Sequence, residues 1–463
     1  MSHLVLDSEF LRESPASRFE AGRSQRESVP LESHTELRRD PDRADPLELL
    51  ANQDSIRIPE LVPLRYGRMS ATPFTFLRGA AAVMASDLAA GPRTDLGVEL
   101  CGDAHLGNFR WYLAPDRQFV FDLSDFDETL PGPFEWDVKR LAASISVAGR
   151  NNGFSENKCR AATREAMRNY RKFIARASEF SPLDLHYYRI DAKHAFDRIE
   201  KKHRKWKDEV LGKAARKNSL RALKKLTEVI DGRHVIVPDP PRIVRVDGKI
   251  TAGEAGEAVE FFKRYRETLP LEQRVLLDRF SVVDVARKVV GVGSVGTRCL
   301  IVLLKAGDGT PLFLQFKQAV ASVLEPYLGA SAFEQAGQRV VEGQRLIQAS
   351  SDVLLGWARL ADESGQEVDF YFRQLWDGKG KIEVENMGPK RLRFFAGLCG
   401  KALAFAHARS GDAMMIRGYI GDKATFDNAL VEFSSGYADQ TRADHAELKE
   451  AIADGAIAVI DES

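Results

Sequence analysis

Apolar residues recur at two different spacings along this chain of 463 residues, and the changes of spacing divide it. Residues 1–45 have no apolar period. The run RFEAGRSQRESVPLESHTELRRDPDRADP is dense in Arg, Glu, Ser and Asp, so a mobile or loosely packed tail is expected there. From Pro46 the pattern turns globular. FTFLRGAAAVMASDLAAG reads as one helix stopped by Gly91-Pro92. Apolar runs on either side of APDR predict a hairpin with Asp116 in the turn, and EWDVKRLAASISVAGRNNG predicts a helix ending at Asn-Gly. Helical spacing continues over residues 155–232.

Near residue 281 the period shortens. ARKVVGVGSVGTRCLIVLLKAGDGTPLFLQFKQA holds three β-rich runs separated by glycine-rich turns. SAFEQAGQRVVEGQRLIQAS is then helical, VDFYFRQLW a strand, and RLRFFAGLCGKALAFAHARSG a long helix capped by Gly411. The expected class is α+β. Its parts are a polar tail (1–45), a helical large lobe (46–280), a β-rich small lobe (281–385) and C-terminal helices completing the large lobe (386–463).

Composition narrows the function classes. Lys plus Arg and Asp plus Glu each number 67, so the net charge is zero and no specific nucleic-acid partner is expected. A local excess of 12 basic over 4 acidic residues between Asp197 and Thr227 reads as a solvated helix face. The four cysteines, Cys101, Cys159, Cys299 and Cys399, lack metal or disulfide spacing, which points to a reduced, cytoplasmic compartment. Neither a signal-peptide pattern nor an apolar run of membrane-spanning length is present, so no membrane partner is expected.

The candidate chemistry begins at CGDAHLGNFR, where Asp103 and Asn108 stand in D-x-x-x-x-N with His105 between them. FDLSDFDE follows, with Asp122, Asp125 and Asp127 at a strand end. Phosphoryl transfer needs such parts: one carboxylate to orient a hydroxyl, and an amide oxygen plus a second carboxylate for magnesium. Two other readings compete. A metallophosphoesterase would need GNH and GHxH segments that the nine histidines do not supply, and a structural polar turn would leave clustered acids repelling one another. Further on, GVGSVG carries Gly291, Gly293 and Gly296. A strand rather than a helix follows it, which favours a kinase-like glycine loop over a dinucleotide fold. Lys317 sits on the third strand, and Glu342 in RVVEGQR is its expected partner, ahead of Glu334 and Glu325. His407 reads as a helix cap.

GDAHLGN resembles the GDxHxxN catalytic loop of aminoglycoside phosphotransferases and choline kinases. As in those enzymes, an Asp twelve positions after the metal-binding one, here Asp137 after Asp125, opens a helix. Cys101 stands where they usually have His. The motifs run in inverted order, catalytic loop before glycine loop, so the expectation is a circularly permuted, two-lobed protein-kinase-like fold. From about residue 46 onward the chain is similar to a bacterial family known as domain of unknown function 2252, which is grouped with kinase-like proteins. The resemblance implies an ATP-dependent phosphotransferase using ATP and Mg2+, with an unidentified small-molecule or protein acceptor. Asp103 would orient or deprotonate the acceptor, and Asn108 and Asp125 would bind magnesium. Lys317, held by Glu342, would grip the phosphates beneath the amides of Gly291, Gly293 and Gly296. Asp137 would anchor the catalytic loop. AMP transfer from the same site and a nucleotide-binding regulator without turnover are the alternatives.

Overall fold

The computed structural model describes residues 13–37, 43–192, 195, 201–245, 262–361, 365–375, 378, 380 and 382–460. Helix α1 (Pro15–Ser28) is capped by Ser14, whose hydroxyl accepts from the Ser17 amide, and Pro15 fills a position where no amide is needed. It docks by glycine. A Cβ on Gly22 would lie 1.9 Å from the Met415 carbonyl oxygen, and one on Gly418 2.0 Å from that of Phe19. The two backbones therefore touch. Arg18 pairs with Asp412 at 2.9 Å, and Arg26 donates to the carbonyls of Gly418 and Tyr419. The loose tail expected over residues 1–45 is thus corrected for 13–37, while residues 1–12 and 38–42 lie outside the described residues. Glycine and arginine make this contact, so no apolar period announced it.

Helices α2 (Pro46–Asn52), α3 (Val62–Ser70), α4 (Pro73–Gly79) and α5 (Ala81–Ala89) follow. The single helix expected from Phe74 to Gly91 is broken at Ala80, where φ is −113° and ψ 42°. Gly79 lets this corner close onto the Met69 sulfur, which a Cβ would meet at 2.6 Å. Strand β1 (Gly97–Leu100) pairs antiparallel with β4 (Leu130–Pro133), and the chain between them forms the hairpin of β2 (Phe109–Leu113) and β3 (Phe119–Leu123). Helices α6 (Glu135–Asn151) and α7 (Glu156–Ala177) follow.

Next come α8 (Pro182–Tyr187), α9 (Lys201–Ala215), α10 (Ser219–Leu226), β5 (Thr227–Ile230), β6 (Arg233–Ile236), β7 (Ile243–Arg245) and α11 (Leu271–Leu277). Strands β8 (Phe280–Lys288), β9 (Cys299–Ala306) and β10 (Pro311–Ala319) lie where the short period begins. With β7, β11 (Gly356–Ala361) and β12 (Glu367–Gln374) they form an antiparallel six-stranded sheet ordered β11-β12-β10-β9-β8-β7. Between β10 and β11 run α12 (Glu325–Leu328) and α13 (Ala336–Ile347).

The boundary expected at residue 281 falls too late. Ala222, Leu226 and Ile236 pack on one face of the sheet with Ile301 and Phe313, and Tyr265, Leu269 and Leu277 pack on the other with Leu304 and Leu314. These flanking helices read as part of the helical lobe because their period is helical; their apolar faces belong to the sheet. The basic stretch from Asp197 lies partly outside the described residues, as does Trp376 at the end of the last predicted strand.

Helices α14 (Pro389–Ser410), α15 (Ala413–Ile420) and α16 (Thr425–Ala453) close the main core with α6 and α7. Gly400 admits the α7 backbone, since a Cβ there would sit 2.1 Å from the Ala166 carbonyl oxygen. Helix α6 is buried almost all round, and three of its polar side chains, Asp137, Arg140 and Ser144, face the loop after β1. No helix among the described residues is long and apolar enough to cross a membrane.

Candidate functional site

Two loops meet at the edge of the helical core. The first, Cys101–Asn108, leaves β1 and enters β2; the second, Ser124–Thr129, leaves β3 and enters β4. Leu100 pairs with Leu130 and Phe109 with Leu123, so both ends of each loop are tied to the other loop's ends. Cys101 adds a cross-link, its thiol donating to the Asp125 carbonyl at 3.3 Å.

Helix α6 supports the first loop from one face. Asp137 accepts from the amides of Cys101 (2.7 Å) and Gly102 (3.1 Å), Arg140 donates to Asp103 Oδ1 (Nε, 2.8 Å), and Ser144 Oγ accepts from the Leu106 amide (3.1 Å). The spacing of 137, 140 and 144 is that of one helix stripe. Behind it the buried His407 imidazole meets the Tyr170 hydroxyl at 2.8 Å and Asp137 at 3.5 Å. Burial pushes the Asp103 carboxyl up, against the pull of Arg140. Burial and nearby arginine charges drive His105 far below its ordinary value, so its ring is neutral. Its Nδ1 accepts from the Gly107 amide at 2.9 Å, which puts the proton on Nε2, 3.5 Å from Asp103 Oδ2. Asn108 spends its Nδ2 on the Asp103 carbonyl at 2.9 Å, leaving the amide oxygen as the end available to a ligand.

The three aspartates at the end of β3 and in the second loop separate clearly. Asp122 is buried and structural, accepting from the Ala349 amide at 3.1 Å and from Arg409 at 3.3 Å. Asp127 accepts from Lys317 Nζ at 2.5 Å, from the Tyr371 hydroxyl at 2.6 Å and from Ser294 Oγ at 3.3 Å. Asp125 has a buried Oδ1 with no hydrogen bond, 3.6 Å from Lys317 Nζ. Burial alone would raise the Asp127 carboxyl, but the Lys317 charge and the donated hydrogen bonds hold it below its usual value. Burial opposes the Lys317 charge, and Asp125 and Asp127 outweigh it, lifting the ammonium well above its ordinary value.

Lys317 lies on β10 between Cys299 of β9 and Tyr371 of β12 and is 2% exposed. The partner expected for it is corrected. Glu342 bonds Arg345 on its own helix at 2.9 Å, and the Glu334 carbonyl accepts from Arg359. What α13 sends inward is Arg339, which donates to the carbonyls of Asp127, Thr129 and Val320. Gly343 brings that helix so close that a Cβ would stand 2.3 Å from Thr129 Oγ1. The second loop itself supplies the Lys317 counter-charge.

Gly291, Gly293 and Gly296 lie in the turn between β8 and β9, with φ of +72° at Gly291 and +91° at Gly296. The N-terminal segment grips this turn by its carbonyls. Arg57 donates to those of Gly293 and Val295, Arg68 to that of Gly291 (2.6 Å), and the Ile58 amide to that of Gly296 (2.8 Å). A Cβ on Gly296 would meet Arg57 Cβ at 2.9 Å. The amides of Gly291, Val292, Gly293 and Ser294 make no hydrogen bond within the described residues. A cavity of about 530 Å³ has Asp103, Asn108, Asp125 and Gly291–Ser294 in its wall. Lys317 stands behind Asp127, outside the cavity lining. No group of three or more His, Cys, Asp or Glu gathers to hold a metal ion among the described residues.

Residues 57–451, which include every group named at this cavity from Arg57 onward, match the model of a family described as an uncharacterized protein conserved in bacteria, DUF2252. The chain belongs to the DUF2252 family. No curated protein and no solved structure matches it.

Several contributors to the DUF2252 site carry no motif in the sequence. Arg140 could have been found from its place one turn after Asp137 on a helix that opens with acids. Asp127 is one of three acids at one strand end, and no signal in the sequence marks it as the partner of Lys317. Arg57 and Arg78 come from a segment far from either loop, and Arg339 is a buried arginine in an otherwise ordinary amphipathic helix.

Proposed function

We propose that this DUF2252 protein is a kinase-like phosphotransferase that uses Mg-ATP, built on a two-lobed fold whose order is circularly permuted. One observation carries the reading: a single cavity is walled by Asp103, Asn108 and Asp125 from the early loops and by the glycine turn from the sheet. The motif order, read cyclically, supports the permutation. The donor set fits the implied magnesium, because the Asn108 amide oxygen and the Asp125 carboxylate are hard oxygen ligands and Asp125 Oδ1 has no hydrogen bond, only the Lys317 charge at 3.6 Å. Asn108 and Asp125 would hold the ion. When bound, Mg-ATP supplies the transferable phosphoryl group and the positive charge that offsets its oxygens.

The chain's own residues do the rest. Arg140 fixes Oδ1 of Asp103, so Oδ2 is the atom that receives the acceptor hydroxyl's proton. The carboxyl's raised proton affinity suits that role. The bare amides of Gly291–Ser294 bind anionic oxygens. Lys317 locks Asp127 and thereby positions the loop that carries Asp125. The test is transfer or release of label from γ-labelled ATP, with α-labelled ATP in parallel. Asp103→Asn is expected to slow γ-phosphate consumption by roughly 10²-fold or more. No γ-phosphate consumption by the wild-type protein, or no effect of Asp103→Asn, overturns the reading; α-label on a product reassigns the reaction to AMP transfer.

A further inference from the structure

Two guanidinium groups enter the cavity beside Asp103. Arg78 arrives from α4 and Arg110 from β2, and both come close to Gly107. A Cβ on Gly107 would stand 3.4 Å from Arg78 Nε and 2.9 Å from the His105 ring, so glycine is what opens this corner. Both Nε donors are buried and make no hydrogen bond. Arg110 makes one long contact, to the Gly107 carbonyl at 3.4 Å, and Arg78 has Glu385 at 3.9 Å. The other buried cations of the site are committed: Arg140 to Asp103 and the Leu77 carbonyl, Lys317 to Asp127. Burial weighs against the Arg110 charge, Asp125 favours it, and Arg373 and Arg78 repel it. Arg57, Arg65 and Arg339 also keep a bare buried Nε, but each is bonded through a terminal nitrogen. Arg78 and Arg110 differ in having no hydrogen bond shorter than 3.4 Å from any nitrogen among the described residues, which leaves two like charges on a cavity wall for an anion to meet.

We propose that the acceptor carries an anionic oxygen group, a phosphate ester or a carboxylate, which Arg78 and Arg110 bind next to the hydroxyl that meets Asp103. The inference rests on the phosphotransferase reading. Arginine's planar fork matches either oxyanion, and two forks beside one loop fix the acceptor's orientation as well as its charge.

The experiment uses the full chain and thermal denaturation. Inorganic phosphate and, separately, sodium acetate are titrated at constant ionic strength against sodium chloride, with and without saturating Mg and the β,γ-imido analogue of ATP. Saturable stabilisation by phosphate or acetate is expected in both conditions. Arg78→Gln and Arg110→Gln should each raise the half-saturating concentration by about tenfold or more, and Arg78→Lys by less. The half-saturating concentration is read within each variant, so a lower starting Tm does not enter, and the two arginines lie on different elements should one variant fail to fold. A response to phosphate alone assigns a phosphate ester; an equal response to acetate assigns a carboxylate. Stabilisation no greater than chloride gives, or unchanged curves in both Gln variants, overturns the proposal. So does loss of the anion response when the analogue is bound, because the arginines then hold the nucleotide. Failure of the analogue itself to stabilise the protein sinks the nucleotide reading and leaves the anion site standing.

Discussion

Asp127→Asn is the sharpest test of how the site is held. Asp127 and Lys317 are 2.5 Å apart, and the lysine is 2% exposed. Removing one member of a buried ion pair costs about 3–5 kcal/mol, because the other charge is left in a medium that cannot solvate it. Two features pull the value toward the lower end. Asp125 remains 3.6 Å from the ammonium, and asparagine can still accept from the Tyr371 hydroxyl now bonded at 2.6 Å. A loss of about 3 kcal/mol is therefore expected. Glu342→Gln provides the contrast. Its pair with Arg345 is an i,i+3 contact on a half-exposed helix face, a class worth about 0.2–0.5 kcal/mol. Equilibrium urea denaturation followed by tryptophan fluorescence would measure both, with Lys317→Met and the Asp127→Asn/Lys317→Met double variant completing a cycle. The double variant should be more stable than the sum of the single losses predicts. If Glu342→Gln cost as much as Asp127→Asn, or if the cycle closed without coupling, the assignment of Asp127 as the lysine's partner would be wrong.

Stability should also depend on pH through buried carboxyls. Burial lifts Glu99, Glu128 and Glu135 each to about 7, against about 4.3 in an unfolded chain. Stability from these groups is fully present below the unfolded value and is lost as pH rises through the folded one. Tm should therefore fall from pH 5 to pH 8, and Glu135→Gln, which can keep the contacts to Thr94, should flatten that slope; an unchanged slope refutes the assignment. Gly22→Ala should destabilise the docking of α1 by about 1–3 kcal/mol despite alanine's better helix propensity, because the added Cβ would lie 1.9 Å from a backbone oxygen. Limited proteolysis within residues 15–28 reports it. Gly212→Ala on α9 is the sign control. Its nearest neighbour would be 4.0 Å away, so it should stabilise by about 0.5–1 kcal/mol.

The parts of this molecule legible in the sequence are those written in a period or in a local motif. The β8–β10 strands, the long apolar α14 and the acid-opened α6 all follow from spacing. So do the two loops, because Asp103, Asn108 and Asp125 lie close to one another in the chain. Contacts made by backbone or by a lone long side chain left no such trace. α1 docks through Gly22 and Gly418, which look like helix weak points rather than contact points. Glu342 had the expected residue type on the expected helix, yet Arg339 and Gly343 fill the buried face there. The counter-charge came instead from Asp127, two residues past the acid first assigned to metal, and its hydrogen bond to Tyr371 on β12 links segments that only the fold brings together.

The nesting of the β2–β3 hairpin inside the β1–β4 pair has a consequence for sequence drift. The hairpin's closing turn, near Asp116, points away from both loops, and the loops' positions are set where the hairpin enters and leaves the nest, at Phe109–Leu123 and Leu100–Leu130. A residue gained or lost at the tip lengthens or shortens the ribbon at its far end only. The chemistry is thereby insulated from insertions within its own stretch of chain, and variation in length can accumulate there while the distance between Asn108 and Asp125 stays constant.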